Sequence, residues 1–128
     1  GREFINKETE DENINMKLAY RDIYMDYELD TFYIKNNTDT TIMIDTMENT
    51  KNTYLLDSNK NKYDAFVYEN KTEDMIFKAN EVKNVTIKFN VAYREDLKIK
   101  KVYFSKIVNY DEYKNNKDVE SKVINIEL

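Results

Sequence analysis

The sequence lacks cysteine, histidine, tryptophan and proline, and its one glycine is Gly1. Without cysteine there is no disulfide framework, no CxxC redox pair and no thiolate metal site. Without histidine the commonest general base is missing, along with Ser-His and Cys-His nucleophile pairs and nearly all zinc chemistry. The absence of tryptophan weakens a sugar-stacking reading. One glycine cannot build a GxGxxG, GxxxxGK[ST] or GxSxG motif, and none is present. The expectation is therefore a chain that is not an enzyme, with no cofactor and no catalytic, cofactor-binding or metal-ligating residue to single out.

What is present fits one folded domain. The 128 residues are a usual single-domain length, long enough to bury a core without covalent staples. Eleven Tyr, six Phe and many Ile, Val and Thr argue against disorder, although charged residues make up 35% of the chain. Net charge is −5, with both signs mixed along the sequence. Phosphate-tracking surfaces are usually basic, so nucleic acid and anionic membrane are not expected as primary partners. Lys98, Lys100 and Lys101 could form a local basic patch, but strand lysines that discourage edge aggregation explain them as well. No apolar run approaches the roughly 20 residues of a membrane span. Heavy use of Asn, Lys, Ile and Tyr fits an AT-rich coding genome such as that of a low-GC Gram-positive bacterium.

Residues 1–12 are polar and end in the acidic run Glu8-Thr9-Glu10-Asp11-Glu12. Like charges repel and seldom pack, which predicts a flexible leader or tether ahead of a domain over 13–128. From Asn13 the period becomes two. Ile14, Met16, Leu18 and Tyr20 share one parity, as alternate side chains of a strand do; the parity breaks near Arg21-Asp22, predicting a bulge or turn. Phe32 and Ile34, then Ile42 and Ile44, resume the pattern. A polar loop is expected over Met47 to Asn52. Thr53–Leu56 and Lys62–Tyr68 flank the turn cluster Asp57-Ser58-Asn59-Lys60-Asn61-Lys62 and read as a hairpin. Met75, Phe77 and Ala79 alternate before a turn at Asn80-Glu81. Val85, Ile87, Phe89, Val91 and Tyr93 give the cleanest alternation. A strand follows over Leu97–Val108, then a loop or short helical turn over Tyr110–Glu120, and a last strand with Ile124, Ile126 and Leu128. About seven to nine short antiparallel strands with polar turns predict an all-β fold, an immunoglobulin-like β-sandwich.

Four features bear on chemistry. Asp57-x-Asn59-x-Asn61 starts like a calcium loop, but Lys62 and Tyr68 stand where an EF-hand needs Gly and a bidentate Glu, so a plain turn is expected. Carboxylate pairs for glycoside hydrolysis are set by spacing in space rather than in sequence, and 25 acidic residues make some pair inevitable. Tyr20, Tyr24 and Tyr27 cluster early, and Tyr103, Tyr110 and Tyr113 cluster late. Strand packing accounts for such tyrosines, and a contact surface for a protein or glycan is the functional alternative. Asn36, Asn70 and Asn84 head glycosylation sequons that an Asn-rich chain forms by chance.

The run Phe32-Tyr33-Ile34-Lys35-Asn36-Asn37-Thr38, the hairpin Leu56 to Tyr63, Lys78-Ala79-Asn80-Glu81 leading into Val85 to Val91, and Lys101-Val102-Tyr103-Phe104 together resemble a known family. It is the immunoglobulin-like domains of unknown function in extracytoplasmic lipoproteins of Gram-positive bacteria, whose sandwich the mycobacterial MPT-type secreted antigens share. The resemblance covers roughly residues 13–128. Asn61 and Ala79-Asn80 stand where that family usually has Gly and Pro-Gly. The resemblance implies export, lipid anchoring through an upstream cysteine, and no catalytic residues. The expected function is a non-enzymatic extracytoplasmic domain of a lipoprotein or surface protein that binds a protein, peptide or envelope component. The alternative is a structural module of an envelope assembly or a proteinaceous inhibitor. The ligand-binding residues are not readable from the sequence.

Overall fold

Alternation builds the core directly. The computed structural model describes residues 1–46, 50–66 and 71–128, Thr50 by its backbone alone. Ten strands stand among the described residues: β1 (Arg2–Glu8), β2 (Ile14–Ile23), β3 (Glu28–Asn36), β4 (Ile42–Ile44), β5 (Thr53–Asp57), β6 (Lys62–Phe66), β7 (Ile76–Phe77), β8 (Val82–Phe89), β9 (Ile99–Asn109) and β10 (Lys122–Glu127). One helix, α1 (Tyr110–Asn115), follows β9. Every pairing is antiparallel. The chain is an all-β sandwich, as the sequence predicts.

One layer runs β1-β2-β3-β8. In the other, β9 pairs with β10 on one edge and with β5 and β4 on the other, and β7 lies beyond β4. Strand β6 joins the layers by pairing with β8 through Ala65 and Phe66 and with β5 through Lys62 to Asp64. The ladder is thus continuous around one side. On the other side β1 and β10 each end a layer without pairing with one another, which leaves an open seam.

The layers meet through residues that the parity rule puts inside. Met16 and Leu18 of β2, Phe32 and Ile34 of β3, Phe89 of β8 and Phe104 of β9 are all fully buried. The rings of Phe32 and Phe104 meet edge to face across the layers, with centroids 5.2 Å apart at 82°. A second, smaller cluster of Met43, Val108 and Tyr113 buries the outer face of β4 under α1. This is why β4 is buried on both faces and not only at Ile42 and Ile44. Asn109 caps α1 by accepting the Glu112 N–H at 3.0 Å, a capping role that suits Asn.

Several expectations need correction. The leader is not free: β1 occupies Arg2–Glu8 and pairs with β2. Its side chains lie on the surface except for Ile5, so it satisfies backbone groups without needing an apolar stripe. Asp11 accepts the N–H groups of Asn13 and Ile14, and Lys122 of β10 lies 2.5 Å from its carboxylate, which ties the acidic run to both layers. The parity break in β2 is a bulge between Leu18 and Tyr20, slightly earlier than the sequence suggests. It turns Arg21 to the inner face. Strand β8 ends at Phe89, and Val91 turns its N–H back onto Phe89 O. Val91 still packs into the core, but Tyr93 leaves the sheet. Thr72–Met75 is a 3-10 turn, so Met75 does not extend β7. Residues 47–49 and 67–70 lie outside the described residues, and so do the first part of the expected loop, the end of the Lys62–Tyr68 strand and the Asn70 sequon.

Candidate functional site

The open seam widens into a cleft of about 600 Å³ at the end of the sandwich where β2 turns into β3. One wall is β1 and β2. The other is the irregular stretch 91–98 with the start of β9. Three local constraints shape its mouth. Tyr24 N–H donates to Tyr27 O at 2.9 Å and closes the β2–β3 turn. The two rings stack with centroids 4.8 Å apart. Tyr93 N–H donates to Met25 O at 2.8 Å, which fastens the 91–98 stretch to that turn. Tyr24, Tyr93 and Met25 are left exposed beside one another, Met25 by 81%.

At the base of the cleft the bulge in β2 sets Arg21 opposite two acids of β3. Arg21 Nε and Nη2 each donate to Glu28 at 2.7 Å, a bidentate geometry that suits a guanidinium. Glu3 of β1 lies 3.9 Å from the same guanidinium and Asp30 lies 3.9 Å from its Nε. Glu28 and Asp30 are inner-face residues of one strand, two positions apart, and Asp30 has no accessible surface. Neither oxygen of Asp30 finds a donor among the described residues. Burial first, and then the charge of Glu28, push its carboxyl well above the usual range, against a smaller opposing effect of Arg21. These acids do not face each other across a substrate-sized gap. Arg21 neutralises one, and the other is sealed off.

Cations gather around this cleft although the chain is acidic overall. Lys7, Lys98 and Lys100 line it, and none has an ion-pair partner among the described residues. Lys98 and Lys100 share a parity. Lys101 has the other and pairs with Glu127 at 3.5 Å. The basic triplet in the sequence is thus split between the cleft and an outer face.

The remaining sequence candidates resolve into structure. Asp57 clamps its own turn. Its Oδ1 accepts the Asn59 and Asn61 N–H groups at 2.8 Å each, and its Oδ2 accepts Asn61 Nδ2 at 3.0 Å and the Tyr63 hydroxyl at 2.8 Å. No group of three metal-ligating side chains forms among the described residues. Burial works against the Asp57 charge, but the donors of Asn61, Tyr63 and Asn59 outweigh it and hold the carboxyl at about 2. Because this value is depressed on folding, the stabilisation is present above the unfolded range and fades as pH falls through about 2. Urea denaturation of the wild type and Asp57→Asn at pH 2 to 6 will show a stability gap that is constant at the upper end and shrinks on acidification.

Asn36 is fully buried, and its amide donates to Thr40 O, Phe77 O and Lys78 O at 2.7, 3.0 and 3.1 Å. Its side chain is a structural clamp, not a free glycan acceptor. Among the tyrosines, Tyr113 is core, Tyr103 stacks on Tyr54 with centroids 5.0 Å apart, and Tyr20 packs against Phe4 and the Arg2 guanidinium. Among the described tyrosines, Tyr24, Tyr27 and Tyr93 belong to the cleft or its mouth. Sequence reasoning passed over Arg21, Glu28 and Asp30. The available signal was two acids on the parity of Phe32 and Ile34, immediately before them. No family model, no curated protein and no solved structure matches the chain.

Proposed function

We propose that the chain is a non-enzymatic binding module, an immunoglobulin-like domain of an extracytoplasmic lipoprotein or surface protein, that engages a protein or peptide partner at the cleft end of the sandwich. The observation that carries the reading is the grouping of exposed Tyr24, Met25 and Tyr93 on backbone fixed by hydrogen bonds. Exposed apolar groups that cluster mark interaction sites, whereas scattered ones need no explanation. Tyrosine and methionine suit a contact surface, the first by joining an apolar body to a polar tip and the second by adapting to irregular shapes. The extracytoplasmic placement rests on the resemblance of the strand and turn sequences to the lipoprotein domains.

A photo-crosslinking amino acid placed at Met25, and separately at Val82 at the far end of β8, tests this against the envelope fraction of a low-GC Gram-positive bacterium. A discrete protein adduct from position 25 and none from position 82 is expected. Equal labelling from both positions, or no adduct from position 25, would defeat the proposal.

A further inference from the structure

We propose that the partner contributes a short, extended, acidic segment, which adds as a strand to the free edge of β1 and sets its carboxylates against Lys7, Lys98 and Lys100. This deepens the binding reading above and rests on it.

The first support is the edge. Among the described residues β1 pairs with β2 alone. Gly1 and Ile23 exchange both backbone hydrogen bonds, at 2.9 and 3.0 Å. In an antiparallel ladder such bonded pairs alternate with unbonded ones. Arg2 and Phe4 therefore turn their N–H and C=O groups away from β2, towards the seam. Exposed edges of this kind template strand addition, and proteins usually blunt them. Here the blunting is partial. A bulge lies between Phe4 and Lys7, with Asn6 at φ 55°. It ends the regular edge after Ile5 and limits addition to about four or five residues at strand spacing.

The second support is the cleft beside that edge. An added strand alternates its side chains between the two faces. Those on the inner face meet Ile5, Leu97 and Leu128, which are apolar, partly buried and packed on the core. The third is charge. The lining lysines Lys7, Lys98 and Lys100 have no ion-pair partner among the described residues, while Arg21 is already satisfied by Glu28 and Arg94 lies 3.9 Å from Asp96. Glu3, Glu28 and Glu95 also line the cleft, but five cationic side chains against three carboxylate side chains there, in a chain of net charge −5, favour an anionic occupant over a cationic one. A polyanion such as nucleic acid or an anionic bilayer would meet the same lysines. It would leave the backbone groups of Arg2 and Phe4 unmet, and the rest of the chain would repel it.

The test uses the whole chain and a fluorescein-labelled octapeptide of alternating Glu and Val, read by fluorescence anisotropy. Three controls accompany it: the Lys-Val counterpart, the same acidic peptide N-methylated at alternate residues, and phosphatidylglycerol vesicles as a competitor. Binding of the acidic peptide alone is expected. Lys98→Glu with Lys100→Glu should weaken it roughly tenfold. Phe4→Pro removes an N–H that bonds nothing within the sheet and should weaken it similarly, with an unchanged circular dichroism spectrum. If Phe4→Pro fails to fold, the N-methylated peptide asks the same question without altering the protein, and it should not bind. Equal affinity for methylated and unmethylated peptides, no response to charge reversal, displacement by vesicles, or no binding at all would each overturn the strand-addition proposal. An adduct from position 25 alongside any of these results would leave the binding reading standing and remove only the acidic strand.

Discussion

Replacing Arg21 with alanine should cost about 3–5 kcal/mol, the usual penalty for removing one partner of a buried ion pair. That is a large share of the ~5–15 kcal/mol available to a typical domain. The size of the effect follows from what remains. Glu28 loses both 2.7 Å bonds, and two buried carboxyl groups are left side by side with no cation. Asp30 cannot turn to water, because it has no accessible surface and projects from the inner face of a strand paired on both sides. The penalty measures an uncompensated charge and not the worth of the pair, so removing the whole cluster should be mild. Arg21→Met combined with Glu28→Gln and Asp30→Asn should recover most of the loss. Urea denaturation of the single and triple variants checks this. A single variant less than about 1 kcal/mol below the wild type would mean that water reaches the cluster.

The same cluster gives the stability a slope with pH. The carboxyl of Asp30 is raised on folding, first by burial and then by Glu28, so the folded state holds a proton that the unfolded state releases. Its contribution is complete below the ordinary carboxylate range and is lost as pH rises through the raised value. Asp57 behaves in the opposite way at the acid end. In the denaturation series, Asp30→Asn should therefore be flatter than the wild type on the alkaline side and indistinguishable in slope below about pH 3.

The layers of this fold were legible wherever one strand face is wet and the other dry. Ile14 to Leu18, Phe32 with Ile34, and Val85 to Phe89 all lie where alternation puts them. The failures share a cause: local pattern records burial, and some elements here are not specified by burial. Strand β1 is surface-exposed at nearly every position, so its charges look like those of a tether. Val91 keeps the alternation by packing on the core from outside a strand, so the pattern outruns the hydrogen bonding. The candidate site was harder still. Lys98 and Lys100 were visible as a basic patch, but their assignment to a cleft depends on Lys7, which is remote in sequence. Arg21 reaches the inner face only because of a bulge in β2, and no local sequence rule fixes the residue at which a bulge forms.

Replacing Phe104 with alanine should destabilise the domain by about 3–5 kcal/mol, as truncation of a fully buried phenylalanine generally does. Phe104 is the point at which β9, the central strand of its layer, meets β3 of the other. Alanine removes that ring from a site with no accessible surface, and two sheets held by continuous ladders cannot collapse fully onto the space. Phe32→Ala should cost a similar amount, and the double variant less than the sum. The shortfall should be about 0.5–1.5 kcal/mol, the contribution of an edge-to-face contact beyond its buried area. Denaturation of the four proteins closes the cycle, and strict additivity would show that the rings fill space independently. The consequence reaches the cleft, because Lys98 and Lys100 flank the first residue of β9. A variant that keeps the layers in register, such as Phe104→Leu, should retain acidic-peptide binding at a cost in stability of only about 1 kcal/mol. If that variant stays folded and loses the peptide, the position of β9 rather than its charge governs the cleft wall.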